Sequence, residues 1–125
     1  MGKIRVMAVD DEDDFLKLIK LNLEKEGGYE VKTLPSARDI VAQAHLFKPD
    51  VILLDMVMPS VGGLEACEML NNDQASKGIP IIILSVLSKD KDKILAYKKG
   101  IINYLTKPIE KKDLIAAIKN ALEYK

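Results

Sequence analysis

Five short runs of apolar residues divide the chain, and the segments between them carry apolar residues at helical spacing. The runs are Ile4 to Val9, Tyr29 to Leu34, Val51 to Leu54, Ile79 to Leu84 and Ile101 to Leu105. Several runs lack strict alternation of apolar and polar residues. Continuous runs of Val, Ile and Leu are typical of strands that are covered on both faces, as in a parallel sheet. The pattern therefore predicts five buried strands.

Each predicted strand is followed by a segment that favours a helix. The apolar stripes of the first, third, fourth and fifth helices lie at 15–23, 64–70, 94–97 and 114–122, and Ser36 can cap the second. Strand and helix thus alternate five times, and crossovers between parallel strands are almost always right-handed. We therefore expect an α/β fold, with residues 1–125 forming a single three-layer domain. Its core would be a flavodoxin-like, doubly wound (βα)5 sheet of five parallel strands.

Composition narrows the class of protein but does not identify it. Hydrophobic residues make up 48% of the 125 residues, and 19 basic side chains balance 19 acidic ones. These values are typical of a soluble globular domain and give no overall nucleic-acid footprint. The sequence shows no signal peptide and no apolar run long enough for a membrane span, and the single cysteine, Cys67, cannot form an internal disulfide. The reducing cytoplasm is therefore the expected compartment.

Charge is unevenly distributed along the chain. Residues 1–88 hold 9 basic and 14 acidic side chains, whereas residues 89–125 hold 10 basic and 5 acidic ones. One end of the chain is therefore acidic and the other basic.

Polar side chains follow four of the five predicted strands at the point where each strand ends. They are Asp10 and Asp11, Asp55, Ser85, and Thr106 with Lys107. The carboxyl ends of parallel strands lie at one edge of a sheet, where ligands bind in the adjoining crevice. The sequence thus predicts that three aspartates, a serine and a lysine converge there.

This set of groups suits phosphoryl transfer. Like charges about 4 Å apart repel by about 4 kcal/mol at an effective dielectric constant near 20, so the aspartates should recruit a cation. Magnesium prefers such oxygen ligands and keeps waters that a phosphate oxygen can replace. The lysine and the serine hydroxyl can bind further phosphate oxygens, which leaves one carboxylate as nucleophile.

The motifs VDDE, LLDMVMP with GG shortly after it, IIILS and NYLTKP resemble the receiver domain of two-component response regulators. The resemblance covers essentially the whole chain. It implies that Asp55 accepts a phosphoryl group from a sensor histidine kinase or a phosphotransfer protein. It also implies that Asp10, Asp11, Asp55 and the backbone carbonyl of Val57 hold Mg2+.

The same resemblance assigns roles to the C-terminal part of the site. Lys107 would pair with the phosphoryl group, Ser85 would move to hydrogen-bond it, and Tyr104 would act as the aromatic switch. The Lys107–Pro108 peptide bond would be cis. The response would appear on an output face between the fourth and fifth helices, with an unknown partner bound through residues 86–112. No membrane contact is expected, and nucleic acid would bind only through an additional output domain.

The chain departs from the family's usual pattern at three places: Gly62, Val86, and the pair Ile101 and Ile102. In addition, Val57 and Leu87 are apolar where polar side chains would orient the attacking water in hydrolysis of an aspartyl phosphate. We therefore expect slow self-dephosphorylation and no other enzymatic activity.

Three other classes of protein share part of this pattern of residues or its fold class. A phosphatase of the haloacid-dehalogenase type combines similar groups, but it usually carries a general acid two residues after the nucleophile, where this chain has Val57. A flavodoxin-type electron carrier would bind a phosphate at its first loop, which DDEDD would repel. A DNA-associated regulator whose basic end helices contact phosphate is a third possibility, but lysines on a helix are more often a solvated face. A receiver fragment of a longer, DNA-binding regulator stays open.

Several residues near these motifs have simpler interpretations. Asp13 and Asp14 are expected at the start of the first helix, where they stabilise its positive end. Cys67 lies on an apolar stripe and is expected in the core, and the lone His45 is expected to be structural or on the surface. The pairs Gly27–Gly28 and Gly62–Gly63 are interpreted as turn and cap signals.

Overall fold

The computed structural model describes residues 2–85 and 101–123. Within them, five parallel strands form one sheet in the order β2-β1-β3-β4-β5. The strands are β1 (Ile4–Val9), β2 (Tyr29–Leu34), β3 (Val51–Asp55), β4 (Ile81–Ser85) and β5 (Ile101–Thr106). This is the flavodoxin-like, doubly wound order that the apolar pattern predicted.

In the part of the chain that the structure describes, two helices cover each face of the sheet, which gives three layers. The helices are α1 (Asp13–Glu26), α2 (Ile40–Phe47), α3 (Gly63–Asn71) and α4 (Lys111–Glu123). The apolar cluster beneath α1 and α4 is separate from the cluster beneath α2 and α3. The helix predicted around residues 94–97 lies outside the described residues, so α4 corresponds to the fifth helix of the sequence pattern.

The core consists mainly of the strands whose sequences are continuous apolar runs. Every residue of β3 and β4 is buried, and β1 is buried from Val6 onwards. On the two faces, the buried helical residues are Leu16, Ile19, Leu23, Leu114, Ala117, Ile118 and Ala121 on one side and Ile40, Ala44, Ala66, Cys67 and Leu70 on the other. Burial of this apolar surface is the main force that fixes the sheet between its helices.

The register of the sheet aligns the ends of its strands. Neighbouring pairs near the carboxyl edge are Val9 with Leu54, Asp55 with Leu84, and Ser85 with Thr106. Ser85 at the end of β4 and the polar residues that follow β1 and β5 are therefore brought level with the Asp55 side chain at the end of β3.

Gly62 and Gly63 lie where α3 begins, in agreement with their interpretation as turn and cap signals, and Gly63 is in addition required by a close approach of backbones. Gly63 is the first residue of α3, and its amide donates a 2.9 Å hydrogen bond to the Met56 carbonyl. A Cβ atom at this position would lie 2.5 Å from the Asp55 carbonyl oxygen and 2.7 Å from Met56 Cα. Neither backbone atom can rotate away, so a side chain here would push α3 off the end of β3. Gly27 and Gly28, by contrast, have φ values of 88° and 90° and form the predicted turn after α1.

Replacing Gly63 should therefore destabilise the domain, although alanine favours helices more than glycine does. We expect Gly63→Ala to lower the free energy of unfolding by about 1–3 kcal/mol or more, as overpacking does. Gly62→Ala is the matched control, because its added Cβ would make only an ordinary 3.7 Å contact with the Met56 carbonyl oxygen. Urea denaturation of both variants measures the difference. Equal stabilities would contradict the steric account.

Candidate functional site

Three carboxylates meet at the carboxyl edge of the sheet, as the sequence predicted. Asp10 and Asp11 follow β1, and Asp55 ends β3; one oxygen from each lies within 4.8 Å of one from each of the others. Asp10 is 1% exposed and Asp55 6%, whereas Asp11 is exposed. Two of the three charges are therefore removed from water and need compensation by a nearby cation.

The turn from β1 into α1 fixes the Asp10 carboxylate. The Asp10 amide donates a 3.1 Å hydrogen bond to the Leu34 carbonyl of β2, which continues the sheet ladder by one residue. Asp10 Oδ1 then accepts a 2.9 Å hydrogen bond from the Glu12 amide, as an aspartate does in a tight turn. The second oxygen, Oδ2, is left to face the lysine.

Lys107 supplies the compensating charge within the described part of the site. Its Nζ atom lies 2.7 Å from Asp10 Oδ2 and 3.7 Å from Asp55 Oδ1. The Lys107 amide donates a 2.8 Å hydrogen bond to the Ser85 carbonyl, so β4 fixes the start of the lysine side chain. The Lys107–Pro108 peptide bond is cis, as the resemblance implied.

Two further residues contact Lys107 that the sequence analysis did not assign to the site. Glu12 Oε1 lies 3.0 Å from Nζ, and the Phe15 ring centre lies 4.2 Å from it. Glu12 belongs to the VDDE motif and follows the acidic pair directly, which was a usable signal. Phe15 was predicted only as part of the apolar stripe of α1. Its position in the sequence does not indicate a contact with a cation.

The electrostatics of the site follow from this geometry. Burial raises the pKa of Asp55 to about 6, and the charge of Asp10 adds to the rise, while Lys107 and a hydrogen bond from the Val57 amide oppose it. Burial alone would lower the pKa of Lys107, but its hydrogen bonds to Asp10 and Glu12 outweigh that effect and raise it. Lys107 therefore stays charged at neutral pH.

A crevice of about 240 Å³ opens over these groups. It is lined by Asp11, Glu12, Asp55, Val57, Ser85 and Lys107. Four of the six were predicted as site residues from their positions after strands, and Val57 from the resemblance. The Val57 side chain faces outwards, with the residue 59% exposed, whereas Ser85 is 1% exposed.

Tyr104 lies in the core. It pairs with Ile83 across β4 and β5 and is 9% exposed, in the apolar cluster beneath α2 and α3. Its position three residues before Lys107 is as predicted. Its role as a switch stays a prediction, and residues 86–100, which the output face would include, lie outside the described residues.

The carboxylate cluster fits a divalent cation. Hard cations such as Mg2+ and Ca2+ take carboxylate and carbonyl oxygens as ligands, and three carboxylates here offer oxygens close to one another. Lys107 offsets part of this negative charge, and Asp55 still has a raised pKa, chiefly because of burial. The role of the Val57 backbone carbonyl as a ligand of Mg2+ stays a prediction.

The simpler interpretations agree with the structure. Cys67 is fully buried in the core, and Asp13 lies in the first turn of α1, where it pairs with Lys17 at 2.9 Å. His45 lies on the surface, and its Nε2 atom lies 2.7 Å from Asp73 Oδ2. That contact ties α2 to the loop after α3, which gives His45 a structural partner that the sequence analysis did not find.

A parallel α/β domain with acidic residues, a serine and a lysine at the carboxyl edge of its sheet is typical of a phosphoryl-transfer protein. Comparison with known proteins identifies the family. The family model described as "Response regulator receiver domain" matches residues 6–119. The chain belongs to the response regulator receiver domain family. Receiver domains are phosphoacceptor signalling domains that interact with histidine kinases and output domains.

Individual relatives agree with this assignment. The chain is 35% identical over 118 residues to protein PilH of Pseudomonas aeruginosa, which covers 94% of this chain and 97% of PilH. It is 32% identical to the DNA-binding dual master transcriptional regulator RpaA of Synechocystis sp. over 94% of its length. It spans about half the length of RpaA, 48%, and the same share of the transcriptional regulatory protein PhoP of Bacillus subtilis. The structure of the Vibrio cholerae chemotaxis protein CheY4 superposes with a TM-score of 0.91, at 27% identity over 97% of this chain and 100% of that one.

These comparisons confirm the predicted class, a phosphoacceptor signalling switch of a two-component system, and they do not favour a phosphatase. Among residues 2–85 and 101–123, no helix has the length and apolar character needed to cross a membrane.

Proposed function

We propose that Asp55 is the residue that accepts the phosphoryl group. One observation carries the proposal: Asp55 is a buried carboxylate that faces both Lys107, at 3.7 Å, and the acidic pair Asp10 and Asp11. A nucleophile for phosphoryl transfer needs this combination, because the developing phosphate charge must be neutralised where it forms. No other carboxylate of the described crevice combines burial at a strand end with an acidic pair beside it.

In the proposed reaction, a carboxylate oxygen of Asp55 attacks the phosphorus of a phosphohistidine. A P–O bond to Asp55 forms while the P–N bond breaks, and the nitrogen keeps its electron pair. With a pKa of about 6, Asp55 is mostly ionised above neutral pH and can act as the nucleophile. Lys107 balances the charge that reaches the crevice, and the Ser85 hydroxyl donates a hydrogen bond to a phosphoryl oxygen.

Mg2+ is the proposed cofactor, held by Asp10, Asp11, Asp55 and the backbone carbonyl of Val57. When bound, it would neutralise charge on the phosphoryl oxygens. The surroundings of the two aspartates support this proposal. Asp11 is exposed to solvent, whereas Asp10 is buried against Lys107.

We assign residues 1–125 to one receiver domain whose partner is a sensor histidine kinase or a phosphotransfer protein. Ser85 and Tyr104 are the proposed switch residues, and an output partner would bind through residues 86–112. Tyr104 lies in β5, pairs with Ile83 of β4 and belongs to the apolar cluster beneath α2 and α3, so a movement of its side chain would change the packing of that cluster. Nucleic acid would be bound only through a separate output domain, as the name of RpaA describes for that protein.

The phosphorylated state should be long-lived, and self-dephosphorylation should be the only reaction that the domain catalyses. Hydrolysis needs a water molecule placed in line with the phosphorus. Val57 lines the crevice with an apolar, 59% exposed side chain that cannot hydrogen-bond this water. Leu87, the second position that would orient water, lies outside the described residues.

The acceptor is tested by labelling. Incubation with acetyl phosphate and Mg2+ should add one phosphoryl group to the native protein, and peptide mass spectrometry should place it on Asp55. Asp55→Asn should remain unlabelled, because an amide is a poor nucleophile. Equal labelling of the Asp55→Asn protein at another residue would overturn the assignment.

The metal site is tested by thermal unfolding. Mg2+ at a hundredfold excess over its Kd should stabilise the native protein by about 2.7 kcal/mol, because it binds the folded state. Asp11→Asn should weaken this effect, whereas Asp13→Asn, which removes an equal charge that pairs with Lys17, should not. The proposed site is wrong if millimolar Mg2+ leaves the native melting temperature unchanged.

The lifetime is tested by removing the phosphodonor and following loss of label. Val57→Asn should shorten the lifetime about two- to tenfold, which is the value of one hydrogen bond of about 0.5–1.5 kcal/mol to the attacking water. Val57→Ala is the control, since it changes size but adds no polar group. If the two variants lose phosphate at the same rate, water orientation at this position does not set the lifetime.

A further inference from the structure

Lys107 is bound more closely by the β1–α1 segment than by Asp55. Its Nζ atom lies 2.7 Å from Asp10 Oδ2 and 3.0 Å from Glu12 Oε1, both hydrogen-bond distances, but 3.7 Å from Asp55 Oδ1. The Phe15 ring lies 4.2 Å away and adds a cation–π contact. An ammonium group has three N–H donors, so at most one donor remains for a further acceptor.

From this arrangement we infer that Glu12 is a positioning residue, which holds Lys107 in the unphosphorylated protein and competes with the phosphoryl group for it. The inference rests on the proposed function, because it concerns how the same lysine reaches a phosphoryl group on Asp55. Nothing in the sequence analysis gave Glu12 a role.

The two acceptors of Lys107 differ in how easily they release it. The Asp10 side chain is 1% exposed, so breaking its ion pair would leave a buried charge without a partner. The Glu12 side chain is 65% exposed, and water can take the place of the lysine at its carboxylate. Glu12 is therefore the contact that Lys107 gives up when a phosphoryl oxygen approaches.

Glu12 also affects the approach of the phosphodonor. Its carboxylate lines the crevice together with Asp11 and Asp55. A phosphodonor is anionic, so each carboxylate there repels it, and a charge at the rim of a site mainly changes association and its dependence on salt. Competition for Lys107 and repulsion of the donor act in the same direction, and both are weakened in Glu12→Gln, whose side chain offers Lys107 only an uncharged amide oxygen.

The test compares Glu12→Gln with Asp13→Asn, a neighbouring change of equal charge at a residue that pairs with Lys17 and not with Lys107. With saturating Mg2+ and limiting acetyl phosphate, Glu12→Gln should be labelled about two- to fivefold faster than the native protein, the range of an exposed ion pair. The difference should shrink at high ionic strength, because salt screens exposed charges. Asp13→Asn should be labelled at the native rate.

A second measurement follows Lys107 without any reaction. In protein treated with a chelator, the NMR signals of the Lys107 ε-methylene group should shift in Glu12→Gln and stay in place in Asp13→Asn. If Lys107 does not respond to Glu12→Gln, or if Glu12→Gln is labelled no faster than Asp13→Asn, the inference is overturned.

Failure of the proposed function has a different signature. In that case Asp55→Asn is labelled as well as the native protein, whatever the rate of Glu12→Gln. The inference about Glu12 fails on its own only when the native protein is labelled on Asp55 and the Glu12→Gln and Asp13→Asn proteins behave alike.

Discussion

The ion pair between Lys107 and the buried carboxylates is the interaction on which the site depends. A carboxylate such as Asp10, 1% exposed, is costly to bury alone, and the 2.7 Å contact with Lys107 Nζ offsets that cost. The two residues are 97 positions apart in the chain. Only a parallel sheet with aligned carboxyl ends brings the residues after β1 and β5 to the same edge, on either side of Asp55. Within the described part of the site, Lys107 supplies one positive charge beside three carboxylates, and the pKa of Asp55 is raised to about 6, mainly by burial and further by the charge of Asp10. The cluster is therefore compatible with a divalent cation.

The backbone around Asp55 is closely packed. Gly63 brings the start of α3 so close to Asp55 and Met56 that no Cβ atom fits between them. The Met56 amide in turn donates a 3.1 Å hydrogen bond to the Leu84 carbonyl, which extends the pairing of β3 with β4 past Asp55. Asp55 is therefore held between a paired strand end and the start of α3, whereas Glu12 and Val57, which also line the crevice, are exposed.

Much of this arrangement could be predicted from the sequence, because it depends on strand ends. Asp10 and Asp55 follow an apolar run directly, and Asp11 and Lys107 come one residue later. The parallel sheet brings these positions close together. Glu12 and Phe15 could not be assigned in the same way, since their contact with Lys107 depends on the path of a long side chain rather than on a strand end. Gly63 lies at a helix start, as its interpretation as a turn and cap signal predicted, but its second role in a close approach could not be predicted, because only its distance to Asp55 reveals it. The partner of His45 was missed because Asp73 is 28 residues away on a loop.

The most direct test is a double-mutant cycle of stability in the presence of a chelator, at about pH 8, where Asp55 with its pKa of about 6 is ionised. The variants are Lys107→Met, Asp55→Asn and the two combined, and urea denaturation gives the free energy of unfolding of each. Lys107→Met should cost the native protein more stability than it costs the Asp55→Asn protein, by about 1 kcal/mol or more, as expected for residues that interact directly. An equal cost in both backgrounds would show that Lys107 does not compensate Asp55, and would contradict the account of the site.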